Sequence, residues 1–228
     1  MRDIACSNLT RQEHRWIPTA ADHRLDSRYP EHEQLPDTLT YVFTNRDDTP
    51  TASSPTTIVQ CDGKQLGDAL TDSSHTGDGY RLHDVFHLAY ATVLGWSPVT
   101  RSLLRRKRRS NPTTDEIEDG GRAIVVEEGI AVTVFAYAAS RDYLRGADHV
   151  DNSLLAWIAT SSGHLEVGGR TAADWEQAVL TGFRIWHELR RHNGTGTVHA
   201  DLRRRTMTFT PHVDGASSQH HLSAVSQR

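Results

Sequence analysis

The sequence predicts an α+β domain, a helical core of about four helices with short β-strands or hairpins near both ends. Three observations carry that class. Apolar and β-branched residues alternate with polar ones at a period of two around 38–60 and again around 198–209. In the stretch between them, apolar residues recur at helical spacing, bounded by capping and stop residues. The 228 residues are 36% hydrophobic and 24% charged, which suits one or two small domains rather than a low-complexity polymer.

The elements follow in chain order. Residues 1–37 combine Pro18, Pro30 and Pro36 with many charges and no sustained period, so they are expected to form an extended surface arm or linker outside the core. The α+β domain is expected over 38–210. Leu39, Tyr41 and Phe43 mark one strand, and Thr56 to Gln60 another that leads into the turn signal Asp62-Gly63. From Tyr80 the period becomes helical through Leu82, Phe86, Ala89, Tyr90 and Val93, closed by Gly95 and Pro98. Thr113 and Glu116 have capping-box spacing, predicting one long helix from Pro112 through Glu127 and Glu128 toward Tyr137. A third helix is expected over Asn152 to Ser161. Thr171 and Asp174 cap a fourth, carrying Trp175, Val179, Phe183 and Trp186 and stopped at Gly194; these aromatics, with Trp157, read as core. Val198 to Phe209 closes the domain as a hairpin around Arg203 to Arg205, and 211–228 is polar enough to be a disordered tail.

Composition bounds the function. With 25 Lys and Arg against 29 Asp and Glu, the formal charge is -4, so any surface for nucleic acid must be local. Cys6 and Cys61 stand far apart outside any CxxC pair, which excludes a disulfide scaffold and a four-cysteine zinc site and favours a reducing compartment. The charged amino terminus lacks the apolar region of a secretory signal, and the longest apolar run, Ile130 to Ala139, is roughly half a bilayer span. A cytoplasmic protein without a membrane segment is therefore expected. The 14 histidines are roughly two to three times ordinary usage.

One segment gathers possible metal ligands. In Arg81-Leu82-His83-Asp84-Val85-Phe86-His87, His83 and His87 lie about 40° apart around a helix and Asp84 and His87 about 60°, so one face presents imidazole and carboxylate together. Glu127 and Glu128 interrupt an otherwise apolar helix, where burial is costly unless they are paired or bound to a cation. Three readings compete. A zinc-protease helix needs HExxH, and here Asp84 replaces the glutamate with no third ligand at a recognisable spacing. A structural reading satisfies the histidines locally and pairs Glu127 and Glu128 with Arg81 or Arg122. The third is a helical metal site facing a phosphorylated substrate.

The string YRLHDVFHLAYATVLGWSPVTRSLLRRKRRSNPTTDEIEDGGRAIVVEEGIAVTVFAYA resembles the C-terminal module attached to MazG-type nucleoside triphosphate pyrophosphohydrolases, and TAADWEQAVLTGFRIWHELR with the TVHADLRRRTMTF hairpin continues the likeness. It runs from about Tyr29 to Phe209, and NLTRQEHRW is similar to the segment that leaves the catalytic domain in longer members. The resemblance implies that this preceding domain is not included in the chain. It also implies a site built on ExxE and ExxD helices that hold Mg²⁺ against a triphosphate. Here Asp84 and His87 fall at the ExxE positions and Glu128 opens ExxD, with Ala131 where its last carboxylate belongs and Glu127 or His83 as substitutes. Such histidines favour Mn²⁺ or Zn²⁺ over Mg²⁺, or else mark a relic that binds without hydrolysing.

On that resemblance, Asp84, Glu127 and Glu128 are the catalytic candidates, and His83, Asp84, His87, Glu127 and Glu128 the metal ligands. The substrate is a nucleoside triphosphate cleaved to monophosphate and pyrophosphate. Arg81, Arg105, Arg106 and Arg122 are candidates for its phosphates. The run Arg101 to Arg109 is alternatively a solvated loop or a patch for nucleic acid. The competing class is a noncatalytic module that binds nucleotide, nucleic acid or a partner chain. Self-association is implied by the resemblance alone.

Overall fold

The computed structural model describes residues 24–46 and 55–212. Both sets of strands enter one antiparallel sheet in the order β3-β2-β1-β4-β5: β1 (Thr38–Arg46), β2 (Thr56–Cys61), β3 (Lys64–Gln65), β4 (Gly196–Asp201) and β5 (Thr206–Thr210). The predicted alternation holds in β1, where Leu39, Tyr41 and Phe43 are buried. Tyr41 faces Cys61 of β2 on one side and Val198 of β4 on the other, so the two ends of the domain meet across β1. Asp62 and Gly63 both take positive φ, 50° and 72°, the twist that a two-residue hairpin loop requires.

Six α-helices lie among the described residues, α1 (Asp84–Leu94), α2 (Pro98–Leu103), α3 (Pro112–Ile117), α4 (Gly121–Ala139), α5 (Asn152–Ser162) and α6 (Ala172–Arg191), and α1 and α6 carry the main contacts with the sheet. Two differences raise the number from the expected four. Pro98 does not merely end α1; it is the first residue of α2, whose N-cap Ser97 accepts from the Thr100 amide at 2.9 Å. The long helix expected from Pro112 is broken at Gly120, where a Cβ would sit 1.9 Å from the Glu116 carbonyl oxygen. Asn111, not Thr113, caps α3 by accepting from the Thr114 amide. The cap at Thr171 forms as predicted, with reciprocal bonds to Asp174, and Gly194 closes α6 with its amide on the Leu189 carbonyl.

α1 is the centre of the molecule: each residue from Asp84 to Leu94 is buried. It crosses α6 where Phe86 and Phe183 meet edge to face at 4.7 Å, an approach that Gly182 permits, since a Cβ there would lie 2.5 Å from the Phe86 ring. A helix enclosed on all sides forces its polar members to find partners. Thr92 bonds back to the Leu88 carbonyl at 2.6 Å; Asp84 and His87 have no such local solution. Trp175, Phe183 and Trp186 join the core, whereas Trp157 is exposed on α5.

The described part of the expected arm, 24–37, is a correction. Tyr29 and Leu35 are buried with the core, and Asp26 and Glu33 are buried carboxylates. Asp26 Oδ2 accepts from the Leu35 amide at 2.7 Å and from Arg101 at 2.7 Å, which ties the segment to α2. Residues 1–23 and the expected tail from 213 onward lie outside the described residues.

Candidate metal centre

A short 3-10 turn, Tyr80–Leu82, feeds α1 and sets the first ligand. His83 Nδ1 donates to the Tyr80 carbonyl at 2.9 Å, and the imidazole stacks on the Tyr80 ring at 4.4 Å. That tautomer turns the Nε2 lone pair outward, 3.7 Å from Asp84 Oδ1. One turn on, His87 Nδ1 lies 2.9 Å from Glu127 Oε1, and its buried Nε2 has no hydrogen-bond partner. His83, Asp84 and His87 each offer a ligand atom within 4.8 Å of the others, the grouping of this kind found among the described residues. Glu128 Oε2 reaches to 3.5 Å from His87 Nε2, so α4 adds a fourth group to the three from α1.

Glu127 and Glu128 divide the work between them. Glu127 is fully buried and both its oxygens are occupied: Oε1 by His87 and by Ser97 Oγ at 2.7 Å, Oε2 by the Val99 amide at 2.8 Å. It is held as the orienting partner of His87 rather than presented as a ligand. Glu128, with a side chain 41% exposed, opens the cluster to solvent. Neither pairs with Arg81 or Arg122, the arginines that the structural reading assigned to them.

The charges are frustrated. Burial pushes His83 below and Asp84 above its ordinary range despite their mutual attraction, so each leans toward its neutral form. Burial also opposes a charge on His87, but the carboxylates of Glu127 and Glu128 outweigh it and lift the imidazole to about 10. Burial would raise Glu128, and the His87 charge brings it below the usual carboxylate range. Three carboxylates share this corner with one imidazolium. An orphaned imidazole nitrogen amid excess carboxylate fits a divalent cation with mixed nitrogen and oxygen ligands.

A family model described as the MazG C-terminal domain matches residues 20–213. The chain belongs to that family. Neither a curated protein nor a solved structure matches it. The match covers the whole described fold, including the segment before β1 that the sequence reading set apart as an arm.

Within this MazG C-terminal module the predicted phosphate-binding arginines do not meet the cluster. Arg81 is paired with the buried Asp72 at 3.2 Å, and Asp72 also accepts the Arg81 amide. Arg122 is exposed on the first turn of α4, and Arg105 and Arg106 occupy the loop after α2. None of the four is hydrogen-bonded or ion-paired with His83, Asp84, His87 or Glu128 among the described residues. Ala131, at the position of the missing carboxylate, is fully buried in the apolar core. The basic run itself splits, because Arg101 and Arg108 are buried with carboxylates of their own.

Sequence reasoning missed Ser97. Its signal was present as Ser97-Pro98, an N-cap followed by a first-turn proline, but the pairing with a glutamate 30 residues later is invisible without the fold. Tyr41 and Tyr90 were also passed over as apolar. Their buried hydroxyls lack partners, and both are pushed up by burial and by the carboxylates of this cluster.

Proposed function

We propose that this MazG-like module is a divalent-metal-dependent nucleoside triphosphate pyrophosphohydrolase, with His83, Asp84, His87 and Glu128 as the metal-binding groups. The single observation that supports it most is the pair of Nδ1 anchors. Tyr80 and Glu127 hold the two imidazoles so that both Nε2 atoms face the same two carboxyl groups, and His87 would release its Nε2 proton as an ion binds. Two nitrogens in the set favour Mn²⁺ or Zn²⁺ over Mg²⁺.

When bound, such an ion supplies an activated water and a clamp on phosphate oxygens. The residues of the chain have separable tasks. Glu127 fixes the tautomer and direction of His87, and Ser97 and the Val99 amide fix Glu127. Asp84, buried beside both histidines, would supply a carboxylate oxygen and ionise as an ion binds. Glu128 stands on the solvent side, where one oxygen would hold the ion and the other could accept the proton of a water directed at the α-phosphorus.

The same residues support a second reading, a module that holds metal and nucleotide without turnover. It is favoured by the alanine at 131 and by the absence of an arginine contacting the cluster among the described residues. Elemental analysis of protein purified without chelator, followed by pyrophosphate release from a panel of nucleoside triphosphates with Mg²⁺, Mn²⁺ or Zn²⁺, separates the two. The enzyme reading expects stoichiometric metal and product that vanishes in Asp84→Ala. Metal without product supports the binding module, and absence of metal removes both.

A further inference from the structure

The basic run after α2 is built, not merely exposed. Arg101 and Arg108 face inward and are almost wholly buried. Arg101 holds Asp26 at 2.7 Å and the Glu33 carbonyl at 2.8 Å, and Arg108 forks onto both oxygens of Asp119 and both of Glu166. These bonds pin the loop 104–111 at both ends. Of the neighbouring cations, Arg105 and Arg109 are exposed and Arg106 and Lys107 half-buried, with Arg106 donating to the Glu31 carbonyl and Arg105 itself in the left-handed region at φ 57°.

Two adjoining cavities, of about 670 Å³ and about 700 Å³, share Ser102 and Arg105 along this loop. Arg105, Lys107, Arg109 and His32 line the first, and Lys64 from the β2–β3 hairpin joins Arg105 and Arg106 in the second. Among the described residues two carboxylates line them. Glu33 is engaged by the Ser110 amide and hydroxyl, and Asp62 sits at the hairpin turn. No carboxylate among the described residues lies within ion-pair distance of Lys64, Arg105, Arg106, Lys107 or Arg109. Cations held side by side without counter-charges repel one another, so such a groove is suited to an anionic occupant.

The extent of the groove decides the kind of anion. Five permanent cations spread over two cavities exceed what one triphosphate can face, and none of His83, Asp84, His87 or Glu128 lines either cavity. Among the described residues no phenylalanine, tyrosine or tryptophan lines them, so none of these offers a platform for stacking a base. We propose that this groove binds the sugar–phosphate backbone of a nucleic acid strand, by charge and without regard to sequence. The proposal does not depend on the metal centre.

The test is fluorescence anisotropy of labelled mixed-sequence 20-nucleotide single strands and duplexes with the full chain, in chelator, between 50 and 200 mM salt. The triple variant Arg105→Glu, Lys107→Glu, Arg109→Glu is expected to weaken binding on the order of 100-fold and to flatten the log–log salt slope by about 2. A control with the same change of net charge elsewhere on the surface, Arg145→Glu, Arg191→Glu, Arg204→Glu, is expected to keep the slope. Thermal melting of both variants checks that the fold is intact. Equal losses in the two variants, absence of binding at 50 mM salt, or displacement of the strand by inorganic triphosphate at equal phosphate concentration would each overturn the proposal.

Discussion

Two of the buried-charge clusters among the described residues are built on opposite plans. Around Arg101 and Arg108, the carboxylates of Asp26, Asp119 and Glu166 meet guanidinium groups at 2.6 to 2.7 Å, and backbone groups take up other bonding positions. Around His87, three carboxylates share one imidazolium, an imidazole nitrogen is orphaned, and His83 and Asp84 are both driven toward neutrality by burial. Dense pairing marks the first cluster as architecture, although Arg101 Nε stops 3.8 Å from Asp119 Oδ1 without a hydrogen bond: the cluster ties the segment before β1, the loop after α2, the turn after α3 and the turn at Glu166 into one body. Unsatisfied polarity in an otherwise well-packed core marks the second as a place that expects something from outside.

The contrast makes its largest prediction at Arg108. Replacing it by methionine leaves Asp119 and Glu166 without their fork and is expected to cost about 3–5 kcal/mol of unfolding free energy in denaturant titrations, because a buried charge loses its partner. Metal content should be unchanged in whatever fraction stays folded. A variant that is as stable as wild type would erase the distinction between the clusters.

The second prediction inverts the readout. Asp84→Asn should reduce Mn²⁺ or Zn²⁺ affinity by about 100-fold or more in calorimetric titrations, while unfolding free energy moves by less than about 1 kcal/mol, since burial already favours the uncharged acid at this position. A large loss of stability would instead place Asp84 with the structural set. Glu127→Gln separates orientation from ligation within the same cluster. It keeps an acceptor for His87 and Ser97 but no charge, and metal affinity should fall about 10–100-fold, the range for an outer partner of a ligating histidine.

The smallest effect is graded with pH. Burial would raise Asp26, but the Arg101 charge, the Leu35 amide and Arg24 hold its carboxyl below the ordinary 3.8. The unfolded chain therefore binds the extra proton first, so this contribution to stability is complete above that value and is lost as pH falls through the lower folded pKa. Asp26→Asn should lower stability at neutral pH and flatten its acid dependence, read as denaturation midpoints between pH 6 and 2.5. A wild-type midpoint that does not fall at acid pH would release the segment 24–37 from its assigned anchoring role.

Much of the scaffold was legible in local pattern. Leu39, Tyr41 and Phe43 announce β1 by alternation; Asp62-Gly63 announces its turn; Thr171 with Asp174 announces α6. In each case the deciding energy is local, a backbone conformation or a cap within four residues. Where reading failed, the deciding contact was distant or steric. The helix breaks at Gly120, where the Glu116 carbonyl comes too near for any Cβ, and Leu35 is buried in a core whose other members lie later in the chain. The ligand pattern HDVFH and the pair at 127 and 128 were also legible as residues whose burial needs explaining. Which of the two glutamates orients and which stands open was not, since adjacent residues on a helix point about 100° apart and only the position of α1 and α2 chooses between them.

The sequence by itself determined the class of fold, the bounds of most elements and the chemical types gathered at the two histidines, because period, caps and polarity act over a few residues. The tertiary structure alone decided which charges are matched. It turned Arg101 and Arg108 inward to their carboxylates and left Arg105, Lys107 and Arg109 outside. It gave Glu127 to His87 and Ser97 while leaving His87 Nε2 without a hydrogen bond, 3.5 Å from Glu128. A charge is stabilised or stranded by what surrounds it in three dimensions, and in this chain those neighbours lie 11 to 75 residues away.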